Sequence, residues 1–210
     1  TKFYVVDASS DRTFEYSVAG QAVENYSLGS SNNDPRRVAS EPSGLRVWGI
    51  DADEFVDVYT NSGFRLGYWW AKGLNKPEGI ASNGTDIWIV DRGSDRVYRY
   101  AGAANRTSGS ASPTSSFALA GGNRDPKGIE TDGTHLWVVD DANTNKVFKY
   151  TLSGTLVGSW TMSGSNTTTS GITLDPSNPS DIWIVDSGRD QVFQYTAAAS
   201  RISGSQSPSA

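Results

Sequence analysis

The stretch DIWIVDRGSDRVYRY, residues Asp86–Tyr100, decides the fold, because the chain repeats it. Close copies stand at Thr134–Tyr150, THLWVVDDANTNKVFKY, and at Asp181–Tyr195, DIWIVDSGRDQVFQY. In the run Ile87–Val90 both sets of alternating residues are apolar, which indicates a strand that is buried on both faces. A chain that repeats such strands is expected to stack several sheets face to face.

An aspartate ends the buried strand of each copy, and the same register extends to five repeats. The five aspartates are 40 to 49 residues apart, and an aromatic residue stands three positions before each of them. Five matches in one register indicate repeated structural units. The aspartates are Asp7, Asp51, Asp91, Asp140 and Asp186, and the aromatic residues are Tyr4, Trp48, Trp88, Trp137 and Trp183.

Each repeat contains four short stretches with the alternation of β-strands, separated by turn residues such as Asn, Gly, Asp and Pro. The sequence therefore predicts an all-β protein, a β-propeller of about five four-stranded antiparallel blades in one domain. The predicted units are 1–34, 35–76, 77–125, 126–168 and 169–210. The first unit starts at its second strand and the last stops before its outer strand. These two blades are thus expected to be incomplete, in a propeller that closes imperfectly or in a piece of a larger one.

The repeats resemble those of a known family. The segments PEGI at Pro77–Ile80 and PKGI at Pro126–Ile129, with DGT at Asp132–Thr134 and the WVVD-type strand, are similar to the NHL-type repeat. The resemblance covers essentially the whole chain and extends to gluconolactonase-like and streptogramin-lyase-like propellers. Such propellers include lyases, lactonases, lectins and scaffolds, so the resemblance implies a fold and not one activity.

Composition narrows the classes of partner. The chain has 210 residues, a formal net charge of −5 and no cysteine. Scattered basic residues argue against nucleic acid as a partner, and no apolar run approaches the roughly 18 residues that a membrane-spanning helix requires. The abundance of Ser, Thr, Gly and Asn, with a first residue other than Met, suggests an extracytoplasmic or secreted protein and a processed piece of something longer.

The repeated aspartates have two interpretations. Five carboxylates at one end of a propeller could gather a divalent cation such as Ca²⁺. Alternatively, each Asp caps its own turn by accepting hydrogen bonds from backbone N–H groups. The second interpretation is favoured, because a catalytic residue is usually unique to one blade.

Residues that differ between repeats are better candidates for ligand binding. Charged residues occur in the links between blades, near the predicted mouth of the central channel, where they would orient a polar ligand or merely form solvated surface. They are Arg36, Arg37, Lys76, Glu78, Asp125 and Lys127. The gluconolactonase-like resemblance implies Glu, Asn and Asp around one divalent cation, and the candidates for these roles are Glu78, Asn75 and Asp125.

Two further features concern the ligand. Trp70 and Tyr68 lie in the degenerate second repeat, where Trp70 aligns with small residues and is expected to face outward, either as a stacking surface or as the cover of a blade edge. His135 is the only histidine, and its predicted turn lies at the end opposite the usual propeller site. A lyase-like mechanism that needs a histidine base is therefore not favoured.

The leading hypothesis is a non-enzymatic binding or scaffolding module, part of a larger extracytoplasmic protein, with no required cofactor. The first alternative is a metal-dependent lactonase or hydrolase with its cation in the central channel. The second is a carbohydrate-binding module that uses Trp70 and Tyr68. A protein or a carbohydrate is thus the expected ligand, and the open edges of the incomplete blades also suggest self-association.

Overall fold

The structure is a computed structural model that describes residues 2–29, 34–41, 43–142, 144–164 and 166–209. In these ranges the chain forms twenty strands and two short 3₁₀ helices, Ala103–Asn105 and Ala198–Ser200. The strands are β1 Lys2–Asp7, β2 Arg12–Ser17, β3 Ala22–Ser27, β4 Pro35–Ser40, β5 Arg46–Asp51, β6 Phe55–Thr60, β7 Arg65–Ala71, β8 Pro77–Ser82, β9 Ile87–Asp91, β10 Arg96–Tyr100, β11 Ser110–Ala111, β12 Ser115–Ala118, β13 Pro126–Thr131, β14 His135–Asp140, β15 Lys146–Thr151, β16 Leu156–Met162, β17 Thr169–Leu174, β18 Ile182–Asp186, β19 Gln191–Tyr195 and β20 Ser205–Gln206.

Within the described ranges the strands form five sheets, which are the blades of a propeller. Blade 1 is β1-β2-β3, blade 2 is β4-β5-β6-β7-β11, blade 3 is β8-β9-β10-β12, blade 4 is β13-β14-β15-β16-β20 and blade 5 is β17-β18-β19. The predicted all-β, five-bladed propeller is confirmed. No helix in the described part of the chain has the length and hydropathy of a membrane span.

The core lies between adjacent blades, as the two apolar faces of the repeated strand require. Trp48, Trp88 and Trp137 are at most 1% exposed and fill the spaces between successive blades. Each Trp ring faces the next blade, where it packs among the aliphatic residues of the neighbouring sheet; Trp48, for example, belongs to one apolar cluster with Ile87 and Ile89. Stacking of this kind buries both faces of the middle blades.

The inner strands of blades 2 to 5 approach one another closely around the axis. A Cβ atom on Gly79 would lie only 2.9 Å from the Cα of Gly128, and one on Gly128 would lie 3.2 Å from the Cα of Gly171. Carbon atoms in ordinary van der Waals contact are about 3.5–4.0 Å apart. The glycine of the P-x-G-I segment is therefore required at Gly79 and Gly128 because two backbones meet there.

Blades 3 and 5 each extend an arm over the preceding blade. The arm of blade 3 contains the 3₁₀ helix Ala103–Asn105 and β11, which pairs in parallel with β7. The arm of blade 5 repeats this arrangement with Ala198–Ser200 and β20 on β16. The buried indole N–H of Trp48 donates to the carbonyl of Ala104 at 3.2 Å, and Trp137 donates in the same way to Ala199. Blades 2 and 4 thereby gain a fifth strand beyond the four that the sequence predicts.

The incomplete blades lie side by side and close the ring. Among the described residues, blade 1 has no inner strand before β1, and blade 5 has no outer strand after β19. The rings of Phe3 and Trp183 meet across this junction with centroids 5.0 Å apart. This ring pair joins β1 of blade 1 to β18 of blade 5.

Candidate functional site

Four of the repeated aspartates connect the turn that follows them to the link that leads into the same blade. Asp51, Asp91, Asp140 and Asp186 are at most 1% exposed. In Asp91, one carboxylate oxygen accepts the N–H of Ser94 in its own turn at 2.8 Å, and the other accepts the N–H groups of Asn75 and Lys76 in the incoming link at 2.7 and 2.8 Å. Asp140 repeats this arrangement with Ala142 and Asp125. These carboxylates hold the turn and the link together, and their oxygen atoms are occupied by backbone donors.

A cluster of charged residues joins blades 3 and 4 at the end where their inner strands, β8 and β13, begin. The guanidinium of Arg92 is 2.6 Å from the carboxylate of Asp125 and 3.9 Å from that of Glu78. The ammonium group of Lys127 is 3.0 Å from the same Asp125 carboxylate. We call Glu78, Arg92, Asp125 and Lys127 the mouth cluster, since it lies where the inner strands begin. Opposite charges are paired within it, so the cluster presents little uncompensated charge.

Arg92 was not among the candidates that the sequence indicated, although a signal for it exists. The position after the repeated Asp is Ala8, Ala52, Arg92, Asp141 and Ser187 in the five repeats. Arg92 is the basic residue among these five. This position therefore distinguishes the third blade, but only the structure shows that the Arg92 side chain contacts the next link.

Arg37 occupies the position that is glycine in the other three inner strands. Its guanidinium donates to the carbonyl of Ser170 in blade 5 and to that of Arg36. Burial lowers the pKa of Arg37 to about 10, while the negative charge of Glu78 opposes this change. Arg37 therefore stays cationic at neutral pH and spans the axis from blade 2 to blade 5.

The remaining link candidates do not join the mouth cluster in the contacts that the structure describes. Arg36 pairs with Asp34 at 3.0 Å, and both side chains are substantially exposed. Lys76 is exposed and contributes its backbone N–H to Asp91. The side-chain amide of Asn75 donates to the carbonyl of Gly93 at 3.3 Å. No group of three or more His, Cys, Asp or Glu side chains in the described ranges is arranged to hold a metal ion.

Another ionisable residue, Glu130, lies towards the end of the channel that is opposite the mouth cluster. It is on β13, and its carboxylate accepts the hydroxyl of Thr173 on β17 at 2.8 Å and the N–H of Thr131 at 2.7 Å. Burial raises the pKa of Glu130 to about 7. Glu130 was not among the candidates that the sequence indicated, although it is the one ionisable residue at this position: the equivalent residues of the other inner strands are Ala39, Ala81 and Thr173.

His135 lies at the start of β14, at the end opposite the mouth cluster. Its Nδ1 atom is 3.8 Å from a carboxylate oxygen of Asp132, and its ring lies beside Trp137 with centroids 5.9 Å apart. This environment is a turn packed on the edge of a blade. The imidazole is therefore separated from Glu78 and Asp125 by the length of the inner strand.

An exposed group of aromatic rings lies on blade 2. Tyr68 and Trp70 are 44% and 43% exposed, and they alternate on β7 with the fully buried Trp69. Phe55 on β6 is paired in register with Trp70, and its ring meets that of Tyr68 edge-on with centroids 5.6 Å apart. We call Phe55, Tyr68 and Trp70 the aromatic platform.

Charged side chains surround the aromatic platform. The guanidinium carbon of Arg65 lies 4.6 Å from the centroid of the Tyr68 ring, and the ammonium group of Lys72 lies 5.2 Å from that of Trp70. The indole N–H of Trp70 donates to the carboxylate of Glu54 at 3.0 Å. The rings are thus held in place by cation–π contacts and a hydrogen bond, with charges of both signs at their rim.

The five sheets and the repeated aspartates define the chain as a five-bladed β-propeller. No protein-family model matches the sequence. No curated protein matches it either. Among solved structures, glutaminyl cyclase of Myxococcus xanthus is similar with a TM-score of 0.69 at 13% identity, over 92% of this chain and 84% of that one. A streptogramin B lyase structure is similar with a TM-score of 0.53 at 14% identity, over 93% of this chain.

The chain spans 65% of the length of the streptogramin B lyase chain. At these identities the two similarities show the propeller fold alone. They bear out the propeller part of the family resemblance, and they carry no activity to this chain.

Proposed function

We propose that this propeller is a non-catalytic binding module that holds a protein partner on the aromatic platform of blade 2. The observation that carries the proposal is the departure of this blade from the others. The positions equivalent to Tyr68 and Trp70 are small or polar elsewhere: Asn25 and Ser27 in blade 1, Ser116 and Ala118 in blade 3, and Ser159 and Thr161 in blade 4. Blade architecture therefore does not require aromatic rings there.

The composition of the surface supports a protein partner. Trp, Tyr and Arg are the residues most enriched among those that dominate binding energy in protein interfaces, and a polar rim commonly surrounds them. Trp70, Tyr68 and Arg65 provide this set, with Glu54 and Lys72 at the rim. Rings that are already fixed by their neighbours lose little conformational freedom on binding.

A carbohydrate is the second candidate ligand of the same surface, because sugars also stack on exposed aromatic rings. Stacking requires an open ring face, whereas cationic groups lie over faces of both Tyr68 and Trp70. The contacts therefore favour a protein over a sugar.

The metal-dependent hydrolase alternative receives less support from the geometry. Glu78 and Asp125 are engaged by Arg92 and Lys127, and the amide nitrogen of Asn75 is directed to Gly93. A cation in the channel would have to displace these partners. Tight binding of Ca²⁺, Mg²⁺ or Zn²⁺ would stabilise the fold by about 2.7 kcal/mol at 100 times the dissociation constant. The midpoint of thermal unfolding, compared between EDTA and each ion, tests this alternative directly.

We also propose that the repeats are of the NHL type and that the protein acts outside the cytoplasm. The first proposal is supported by the P-x-G-I segments at Pro77–Ile80 and Pro126–Ile129, where glycine allows the inner strands to touch. The second is supported by the Ser-, Thr-, Gly- and Asn-rich composition.

The test is affinity capture from the extracellular fraction of the source cells, followed by measurement of the dissociation constant for the captured protein. A double variant, Tyr68→Ser with Trp70→Thr, introduces the residues that blade 4 has at these positions and should no longer capture the partner protein. Leu45→Ser, which alters an exposed apolar residue away from the platform, is the matched control. We expect Trp70→Ala to raise the dissociation constant at least about 30-fold, as loss of a 2 kcal/mol contact requires.

Three results would contradict the proposal. Capture that is unchanged in the double variant would remove the platform from the interface. Platform-dependent binding to a glycan array, without a protein partner, would assign the site to a carbohydrate. Turnover of lactones or esters that depends on an added cation would show catalysis.

A further inference from the structure

The aromatic platform of blade 2 lies where other blades carry a cationic side chain of their own. Phe55 on β6 is paired in register with Trp70 on β7. The residues in the place of Phe55 are Arg12 in blade 1, Arg96 in blade 3 and Lys146 in blade 4, each opposite a small or polar residue of the outer strand. Blade 2 therefore has two aromatic rings where each of these blades has one cation and one short side chain.

The rings of the platform attract cations within the protein itself. The guanidinium carbon of Arg65 lies 4.6 Å from the centroid of the Tyr68 ring, and the ammonium group of Lys72 lies 5.2 Å from that of Trp70. Both distances are within the range of about 6 Å in which the negative face of an aromatic ring attracts a cation. The platform is therefore suited to a positively charged group.

The two cations differ in how they are held. The guanidinium of Arg65 is fixed by the fully buried carboxylate of Asp57 at 2.5 Å. Among the described residues, the ammonium group of Lys72 contacts the ring of Trp70 and forms neither a hydrogen bond nor an ion pair. The Lys72 ammonium can therefore leave the Trp70 ring without breaking another polar contact, whereas Arg65 cannot leave Tyr68 in this way.

The charges around Trp70 also favour a cation. Its indole N–H donates to the carboxylate of Glu54 at 3.0 Å, and the neighbouring Asp53 is exposed. The chain as a whole has a formal net charge of −5. A net negative charge steers a cationic partner towards the protein. Charge complementarity thus indicates a basic partner segment and not an acidic one.

We propose that the Trp70 ring binds a lysine or arginine side chain of the protein partner, and that Lys72 occupies this place in the free protein. The inference rests on the proposed function and extends it by the chemistry of the partner. The partner's cation replaces the Lys72 ammonium on the ring face, with the carboxylate of Glu54 at the ring edge. Binding therefore competes with Lys72 and weakens as salt screens the charges.

Choline tests the cation site separately from the partner, because its quaternary ammonium group is recognised by the faces of aromatic rings. The measurement is the two-dimensional NMR signal of the Trp70 indole N–H, identified by its loss in Trp70→Phe, during a titration at constant ionic strength. We expect a saturable shift. An uncharged analogue, in which a tert-butyl group replaces the trimethylammonium group, should bind at least about tenfold more weakly. Equal binding of the two compounds, or no shift up to roughly 100 mM choline, would overturn the proposal.

Three variants locate the bound cation. Lys72→Met keeps an apolar stem and removes the resident charge, so it should tighten choline binding at least about threefold. Glu54→Gln keeps an acceptor for the indole N–H and removes the negative charge, so it should weaken binding about threefold. Asp190→Asn alters the exposed carboxylate at the equivalent turn position of blade 5 and, as the matched control, should change binding less than about 1.5-fold. Choline binding that Lys72→Met leaves unchanged would refute the place assigned to Lys72.

The captured partner separates this inference from the proposed function. Choline should compete with the captured protein, and so should added salt. Platform-dependent capture that neither choline nor salt weakens would keep the proposed function and refute the cation site. A choline site without any captured protein would remove the protein as its occupant and overturn the proposal from the other side.

A lipid headgroup is the competing source of the same chemistry. Phosphatidylcholine vesicles present a quaternary ammonium group at high local concentration. Absence of co-sedimentation with these vesicles supports a protein occupant. Co-sedimentation that Trp70→Ala abolishes would assign the site to a lipid surface and overturn the proposal.

Discussion

Replacement of Gly79 by alanine tests whether the inner strands touch around the axis. The added methyl carbon would lie 2.9 Å from the Cα of Gly128 and 3.0 Å from the backbone nitrogen of Ile129. Relief of these contacts requires the two strands to separate, and such overpacking typically costs about 1–3 kcal/mol. The lower entropy of the unfolded chain offsets about 0.4–1 kcal/mol of this cost. We therefore expect Gly79→Ala to lower the free energy of unfolding by about 1–2 kcal/mol.

Gly171→Ala is the matched control, because Gly171 occupies the same position of the repeat in the inner strand of blade 5. Its methyl group would make only ordinary contacts at 3.6 Å or more. The entropic gain then remains, so this variant should be unchanged or up to about 1 kcal/mol more stable. In a domain of this size about 1 kcal/mol moves the thermal midpoint by about 2–4 °C. Thermal unfolding followed by circular dichroism should show a lower midpoint for Gly79→Ala alone, and equal shifts in both variants would refute the reasoning.

Two further predictions concern ionisable groups. Asp91→Ala leaves the buried N–H groups of Asn75, Lys76 and Ser94 without their acceptor and should lower the free energy of unfolding by about 3 kcal/mol or more. Asp7 is partly exposed and accepts from Ser9 and Ser10 in its own turn, so Asp7→Ala should cost less than about 1 kcal/mol. Chemical denaturation measures both, and similar losses would contradict the difference between the two environments. The raised pKa of Glu130, about 7 against an ordinary 4.5, means that its protonated form stabilises the fold below about pH 4.5 and that this stabilisation is lost as the pH rises through about 7. Glu130→Gln should therefore gain up to about 3 kcal/mol relative to wild type between pH 4.5 and pH 8, and a difference that does not change with pH would exclude the buried carboxyl as its cause.

The blade architecture could be predicted from the sequence because it follows from short-range patterns. The aromatic residue and the Asp that ends the strand occur together in each repeat, and the alternation of apolar residues indicates burial on both faces. The outward position of Trp70 was predictable for the same reason, because β7 alternates and Trp69 fills the core position. These features depend on the period of a strand and not on distant contacts.

The arms and the channel residues could not be predicted, because they depend on contacts between distant segments. β11 and β20 have only two residues each, and they pair with the strands of the preceding blade. The contact of Arg92 with Asp125 joins residues of two different blades, and the raised pKa of Glu130 follows from burial among several strands. A local sequence pattern contains no information about such three-dimensional environments.

The arms also explain why blade 1 differs from the rest of the propeller. The arms fasten blade 3 to blade 2 and blade 5 to blade 4, through β11 and β20 and through the hydrogen bonds of Trp48 and Trp137. Among the described residues blade 1 has no such arm, its outer strand β3 is largely exposed, and it meets blade 5 through Phe3 and Trp183. In the described part of the chain, blade 1 is therefore held by ring and apolar contacts with blades 5 and 2 and not by an arm.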